Sequence, residues 1–395
     1  MAFPDVSVIK STGGLGRQKP QDDGIAALIT QGVAIAGKLN LNEVYELRSL
    51  QAAEAIGITV AAMPLVRHQL SEFFRLAPGQ ILNLMVVSQA TTMAQMADRT
   101  LTHAKRLLSG LNGKVKHFGL CLNPAAGYIP VIAGGLDADV MAAVAKAQAL
   151  TAEEFAQHRP TLAIIAGHGL QLNTAAVTDL RTQLAENVAV VIGSDGLKYD
   201  TEPAIGAVLG MLSATQVHLN IGYVGACQLA GDGSFLSAGL SNGKTLQELL
   251  PGEAAALHDK GYILAIQHPG IDGFFFSDSP TATAAAGDYS QLENVRTINK
   301  AARVVRAALL PALKGPLPLT REGKLQPQVV GELESKGRSA LEALMLRTGE
   351  ISQLDVFIDP DQLVVSSSEL QVKFSIVPVG VARNIIATIG LTKAL

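Results

Sequence analysis

Apolar residues along this chain fall into two patterns, short near-continuous runs and longer stretches of helical spacing, and over much of the sequence the two alternate. "ILNLMVVSQ", "KHFGLCLNP", "TLAIIAGHG" and "VAVVIGSDG" are runs of strand length. Between them "MAQMADRTLTHAKRLLSG", "DADVMAAVAKAQALTAEEFAQ" and "TAAVTDLRTQLAEN" are predicted helices, and "AVLGMLSATQVHLNIGYVG" adds another. Strands apolar on both faces and separated by helices predict a parallel sheet covered on each side. Upstream, "IAALITQGVAIA" opens the apolar structure. "NLNEVYELRSLQAAEAIGI" is predicted as a helix capped by Asn42, with Val44, Leu47, Leu50 and Ile56 at helical spacing. "VRHQLSEFFRLA" is a second helix, stopped by Pro78 and Gly79.

After "QHPGIDGFFFSDSPTATAAAGDYSQ" the pattern changes. Leu292, Val295, Ile298, Ala302, Val305 and Leu309 mark a long amphipathic helix. Beyond a proline-rich turn a second helix begins near Gln328, with Val330, Leu333, Leu341 and Leu344 on one side. "LDVFID", "QLVVSS" and a terminal pair are predicted strands that complete a compact α+β unit. Leu370, Val372, Phe374 and Ile376 alternate with Glu369, Gln371, Lys373 and Ser375; past Pro378 and Gly380, Ile385, Ile389 and Leu391 continue the apolar row. At the other end Val6 and Val8 alternate with Asp5 and Ser7 before a Gly- and charge-rich linker. The pattern leaves open whether these terminal strands pair within one chain or with another molecule.

Composition narrows the class. A chain of 395 residues predicts two or three domains. It is 48% hydrophobic and 16% charged, yet no apolar run is long enough to span a membrane, so the excess points to surface buried between subunits. "MAFPDVSVIK" lacks a basic segment followed by an apolar stretch, so no secretory signal is expected. A net charge of -3 gives no reason to expect nucleic acid. Cys121 and Cys227 are isolated among apolar residues and read as buried thiols in a reducing compartment.

Candidate chemistry is sparse. His168 sits between two glycines at a strand's end, and Asp195, beside Ser194, in a similar turn; strand ends are where α/β folds place functional groups. The same residues serve as ordinary turn residues, and "VVIGSDG" lacks the G-x-S-x-G elbow. "GGLGR" is followed by "QKPQDDG" and no helix, so no helix N-terminus faces a pyrophosphate. The eight histidines are scattered singly, with no metal-ligand spacing and no cofactor motif. The alternative to a structural protein is a doubly wound small-molecule enzyme using His168 and Asp195.

Several stretches in order resemble the contractile tail sheath proteins of phages and phage-like injection systems: "NEVYELRSLQAAEAIGI", "HQLSEFFRLAPGQILNLMVV", the strands "TLAIIAGHGL" and "VAVVIGSDG", "IQHPGIDGFFFSDSPTAT" with "DYSQLENVRTINKAARVV", and the closing "DVFID" and "ELQVKFSIVPVGVARNIIATIGL". The resemblance implies a non-enzymatic sheath subunit of fold class α/β plus α+β. Its expected parts are an N-terminal arm and linker (1–23), an α/β domain (24–275), a C-terminal α+β core (276–377) and a C-terminal arm strand (378–395). It further implies stacked hexameric rings around an inner tube protein, with baseplate and tail terminator or cap proteins as further partners. No cofactor and no membrane insertion are expected, and assembly would occur in a bacterial cytoplasm. Val6, Val8, Ile385, Ile389 and Leu391 would then be inter-subunit arms. Arg296, Lys300, Arg303 and Arg306, spaced along the side of the long helix away from its apolar face, are candidates for contact with the tube or a neighbour. A second, mixed-sign helix carrying Glu332, Glu334, Lys336, Arg338 and Glu342 is an equal candidate.

Overall fold

The computed structural model describes residues 22–171 and 173–391. The chain divides into two compact units: one runs to Gln216 and resumes over Ile221–Leu292, and the other comprises Val217–Asn220 and the chain from Glu293 onward. The expected strands at Val6 and Val8 lie outside the described residues.

In the first unit the described residues form a seven-stranded sheet. Its strands are β1 (Ala26–Gly32), β2 (Val44–Leu47), β3 (Leu82–Ser88), β4 (His117–Cys121), β5 (Leu162–Ala166), β6 (Val188–Val191) and β7 (Tyr262–Ile263), in the order β7-β6-β5-β4-β1-β3-β2. All neighbours are parallel except β2, which joins β3 antiparallel at one edge. Ile29 pairs with Leu120, Leu120 with Ile165 and Ile165 with Val190, so the apolar runs lie side by side through the core. This is the parallel-rich α/β sheet that the alternation predicts.

Its helices are α1 (Leu50–Ala55), α2 (Pro64–Leu76), α3 (Met93–Ala97), α4 (Ala104–Gly110), α5 (Ala138–Ala156), α6 (Ile205–Ala214) and α7 (Glu253–Asp259). The buried α6 is seated by small residues on two sides. A Cβ on Gly119 of β4 would lie 2.7 Å from Ile205, and one on Gly206 would lie 1.9 Å from the Gln69 carbonyl of α2. The Gln69 side chain closes the join, accepting from the Gly206 amide at 2.6 Å and donating to the Pro203 carbonyl at 3.0 Å.

The second unit holds α8 (Leu292–Leu309, grouped here from Glu293), α9 (Pro327–Leu341, continued by a π turn over Glu342–Leu346) and α10 (Val364–Ser367). Strands β8 (Ile351–Phe357) and β9 (Lys373–Pro378) pair as an antiparallel hairpin. Ala301, Val304, Leu341, Met345 and Ile351 form its core, with Leu354, Phe374 and Ile376 packed against them. A second cluster centres on Leu325, Leu333 and Ile358.

Four sequence expectations are corrected by local hydrogen bonding. Val44–Leu47 is the edge strand β2, not helix: Asn42 turns the chain at φ +60°, and the helix starts only at Ser49, whose side chain accepts from the Ala52 amide at 3.2 Å. The stretch 93–110 is two helices, because Asp98 accepts from both the amide and hydroxyl of Thr100. The stretch 174–187 forms two 3-10 turns capped by Asn173 and Asp179, followed by Leu184–Ala185, which pairs with Ala282–Thr283. Residues 276–292 group with the α/β unit, where Ala282–Thr283 make this pairing. "QLVVSS" turns into α10 because the hydroxyls of Ser366 and Ser367 both donate to the Leu363 carbonyl.

The seating of α6 has a direct test. Gly206→Ala drives a methyl group into the backbone of α2 and should destabilise the α/β unit by about 3 kcal/mol, seen as a lower urea midpoint at unchanged slope. A loss well under 1 kcal/mol would contradict the close helix contact.

Candidate assembly surface

The hairpin is built so that one face is covered and the other is not. Leu354 opposes Ile376 and Val356 opposes Phe374 on the face that packs on the core. Gln353 opposes Val377, Asp355 opposes Ser375 and Phe357 opposes Lys373 on the exposed face. Helix α9 approaches closely at Gly337, where a Cβ would lie 2.7 Å from the Phe374 ring. It also grips the far strand: Glu334 Oε1 accepts from the Ile358 amide at 2.8 Å, and Arg338 pairs with Asp355 at 3.1 Å. Among the described residues each strand has one neighbour, so the hairpin presents two backbone edges without a ladder partner.

Past Pro378 the chain leaves the ladder. Residues 379–391 belong to no described strand, although Ile385, Ile389 and Leu391 are 87%, 93% and 107% exposed. Ile386 is exposed as well. The tail touches its own body through Arg383, whose guanidinium donates to Glu293 in the first turn of α8. Sequence reasoning missed this pair, because ninety positions separate the two residues and neither carries a local motif.

The four basic residues of α8 do not share one environment. Arg296 is buried, and Lys300 forms an ion pair at 2.6 Å with the buried Glu350. Arg303 is half-buried and engaged in its own interactions, whereas Arg306 near the end of the helix is exposed. On α9, Lys336 pairs with Glu332 at 2.6 Å on the open surface.

At the sheet's topological switch point the chain's own groups hydrogen-bond across the strand ends. Between β1 and β4, the topological switch point of the sheet, Gln31 Nε2 donates to the carbonyls of Gln89 and Thr91, at 3.1 and 2.8 Å. Its Oε1 accepts from the Asn123 amide at 3.0 Å, and Asn123 Nδ2 donates back to the Gln31 carbonyl. His168 and Asp195 are not brought together by any described hydrogen bond or ion pair. His168 faces the Tyr128 ring at 6.1 Å, and burial lowers its pKa against the opposing pull of Asp137 and Asp139. Asp195 accepts from the amides of Leu197 and Tyr199, both at 3.2 Å, and lies 3.6 Å from His68 Nε2. Burial pushes the Cys121 thiol up to about 12, and raises the Glu202 carboxyl to about 7. No group of three or more His, Cys, Asp or Glu side chains among the described residues is arranged to hold a metal ion. No helix among them is long and apolar enough to cross a membrane.

Comparison with known proteins gives two family matches, to the DUF2586 N-terminal domain over residues 3–280 and to the DUF2586 C-terminal domain over residues 288–395. A search of curated protein sequences finds no match. Among solved structures, the chain is similar to one from the anti-feeding prophage (AFP) baseplate, with a TM-score of 0.63, 14% identity and 99% of each chain covered. It is similar to one from the AFP helical sheath in its contracted state, with a TM-score of 0.62, 14% identity and 99% of each chain covered. A third likeness, to the sheath complex of the extracellular contractile injection system PVC in its contracted state, has a TM-score of 0.62 and 11% identity, covering 100% of this chain and 98% of that one. At these identities the likeness establishes the fold over essentially the whole length.

The half-buried Glu202 makes stability depend on pH. The unfolded chain ionises it near 4.5 and the folded chain near 7, so the folded state retains the proton between those values. Its contribution is complete below about 4.5 and is lost as pH rises through about 7. Urea midpoints of the native chain should therefore fall across that window relative to Glu202→Gln. Parallel pH profiles for the two proteins would contradict the assignment.

Proposed function

The chain belongs to the DUF2586 family, and from that membership and its fold we propose that it is the structural subunit of a contractile sheath. The observation that carries the proposal is an uncharged apolar tail, Asn384–Leu391, that leaves an open-edged hairpin in a chain whose fold matches a contracted helical sheath from end to end. In this reading subunits form hexameric rings stacked around an inner tube protein. A baseplate lies at one end of the stack and a terminator or cap protein at the other. Assembly takes place in the cytoplasm of a bacterial cell, and the product is a phage tail or a phage-like injection particle.

The arms make the connections. Ile385, Ile389 and Leu391 of one subunit enter the sheet of another, laying a strand along a free edge of its β8–β9 hairpin. Val6 and Val8 supply the corresponding N-terminal strand. Strand addition of this kind satisfies backbone groups that an open edge leaves to water and seats alternate side chains in apolar pockets. The subunit performs no catalysis: rings that shorten and widen bury additional subunit surface, and this drives the tube outward. Of the basic set Arg296, Lys300, Arg303 and Arg306, Arg306 is the exposed member, so it is the first of them to meet an acidic tube or neighbour.

A truncation after Val377 isolates the role of the tail. The shortened chain should remain folded, melting within a few degrees of the full chain, yet form no tubes at concentrations where the full chain does. Tubes of normal length and yield from the truncated chain would overturn the proposal.

A further inference from the structure

Glu293 occupies the first turn of α8, where the positive end of the helix favours a carboxylate. Its side chain is only 3% exposed, and burying a carboxylate is costly unless it gains hydrogen-bond partners. Two distant parts of the chain reach the same oxygen: Asn220 Nδ2 at 3.3 Å and the guanidinium of Arg383. Asn220 belongs to the segment Val217–Asn220, which leaves the α/β unit to join the C-terminal unit. Arg383 lies in the tail, five residues beyond Pro378, the last residue of the ladder. After Arg383 the described tail, Asn384–Leu391, carries no charge and is exposed throughout.

We propose that Glu293 and Arg383 form the anchor that sets where the C-terminal arm leaves its own subunit, an inference that rests on the arm reading above. The ladder holds the chain to Pro378, and the ion pair holds it again at Arg383, so the segment free to reach a neighbour starts at Asn384. Without the pair only the half-buried Val379 and Val381 hold the chain beyond Pro378, and the free segment can start as early as Val379. Those five added residues lengthen the arm by about 17 Å when extended. A longer tether dilutes the arm at the neighbour's sheet edge and widens the range of directions it samples. Arginine suits the position because its planar fork fixes direction as well as charge, which a lysine ammonium does not. The Asn220 contact places the segment Val217–Asn220 on the same carboxylate, so a pull on the arm is passed to that segment as well as to the hairpin.

The test uses the full chain with Arg383→Gln and Arg383→Lys. In a dilute, unassembled sample, a fluorophore attached at Ile385→Cys reports tail motion, and both native cysteines are buried and leave that site to the label. Anisotropy of the probe should fall with Arg383→Gln and take an intermediate value with Arg383→Lys, while the chain stays folded and its melting temperature drops by a few degrees at most, because Glu293 loses one partner. In unlabelled protein, the concentration at which half the chains sediment as polymer should rise roughly fivefold or more for Gln and less for Lys. Unchanged anisotropy in Arg383→Gln would overturn the anchor. Lower anisotropy with an unchanged assembly threshold would overturn its positioning role. If the unsubstituted chain forms no polymer, the sheath reading fails, and the anisotropy still decides the anchor by itself.

Discussion

A hairpin of two strands satisfies half of its backbone ladder and leaves two edges open, and the C-terminal unit is organised around that shortfall. Two strands are marginal alone, so α8 and α9 cover one face with Leu341, Met345, Ala301 and Val304. Gly337 lets α9 come close enough for the Phe374 ring to fill the contact, and Glu334 and Arg338 hold the far strand by its end and its exposed face. The helices cover the face but not the edges. A segment that could complete an edge is present in the same chain, just beyond Pro378, and it carries four exposed apolar side chains.

The α/β unit has a different constraint, which is that its strands are buried on both sides and must be covered. Helix α6 meets the sheet at Gly119 and α2 at Gly206, and the side chain of Gln69 satisfies the backbone groups that this tight join would otherwise strand. The mouth of the sheet, between β1 and β4, is bridged by Gln31 and Asn123 in place of a ligand's polar groups. The unit thus has the topology of a ligand-binding fold with its switch point occupied by its own amides.

Much of the core was legible because parallel strands declare themselves as apolar runs. β3, β4, β5 and β6 fall on the stretches that periodicity marks, as do α2, α5, α8 and α9. Errors arose where short polar side chains override periodicity. Asn42 and Ser49 turned an apparent helix into an edge strand, Asn173 and Asp179 divided another, and Ser366 and Ser367 curled a strand into a turn. The basic row of α8 looked uniform in sequence, since spacing cannot reveal that Glu350 lies opposite Lys300 or that Arg296 is buried. The apolar row of the tail was visible at once. The pair that tethers it, Arg383 with Glu293, was not, because pairing across ninety positions leaves no local trace.

If the tail of one copy completes the hairpin sheet of another, a three-dimensional reconstruction of polymer grown from the full chain will show the exchanged strand. The expected result is rings stacked in a helical tube, with density for Ile385–Leu391 running along an outer edge of the β8–β9 hairpin of a neighbouring subunit. Discrete particles in place of tubes, or a tail folded back along its own hairpin in every subunit, would contradict it.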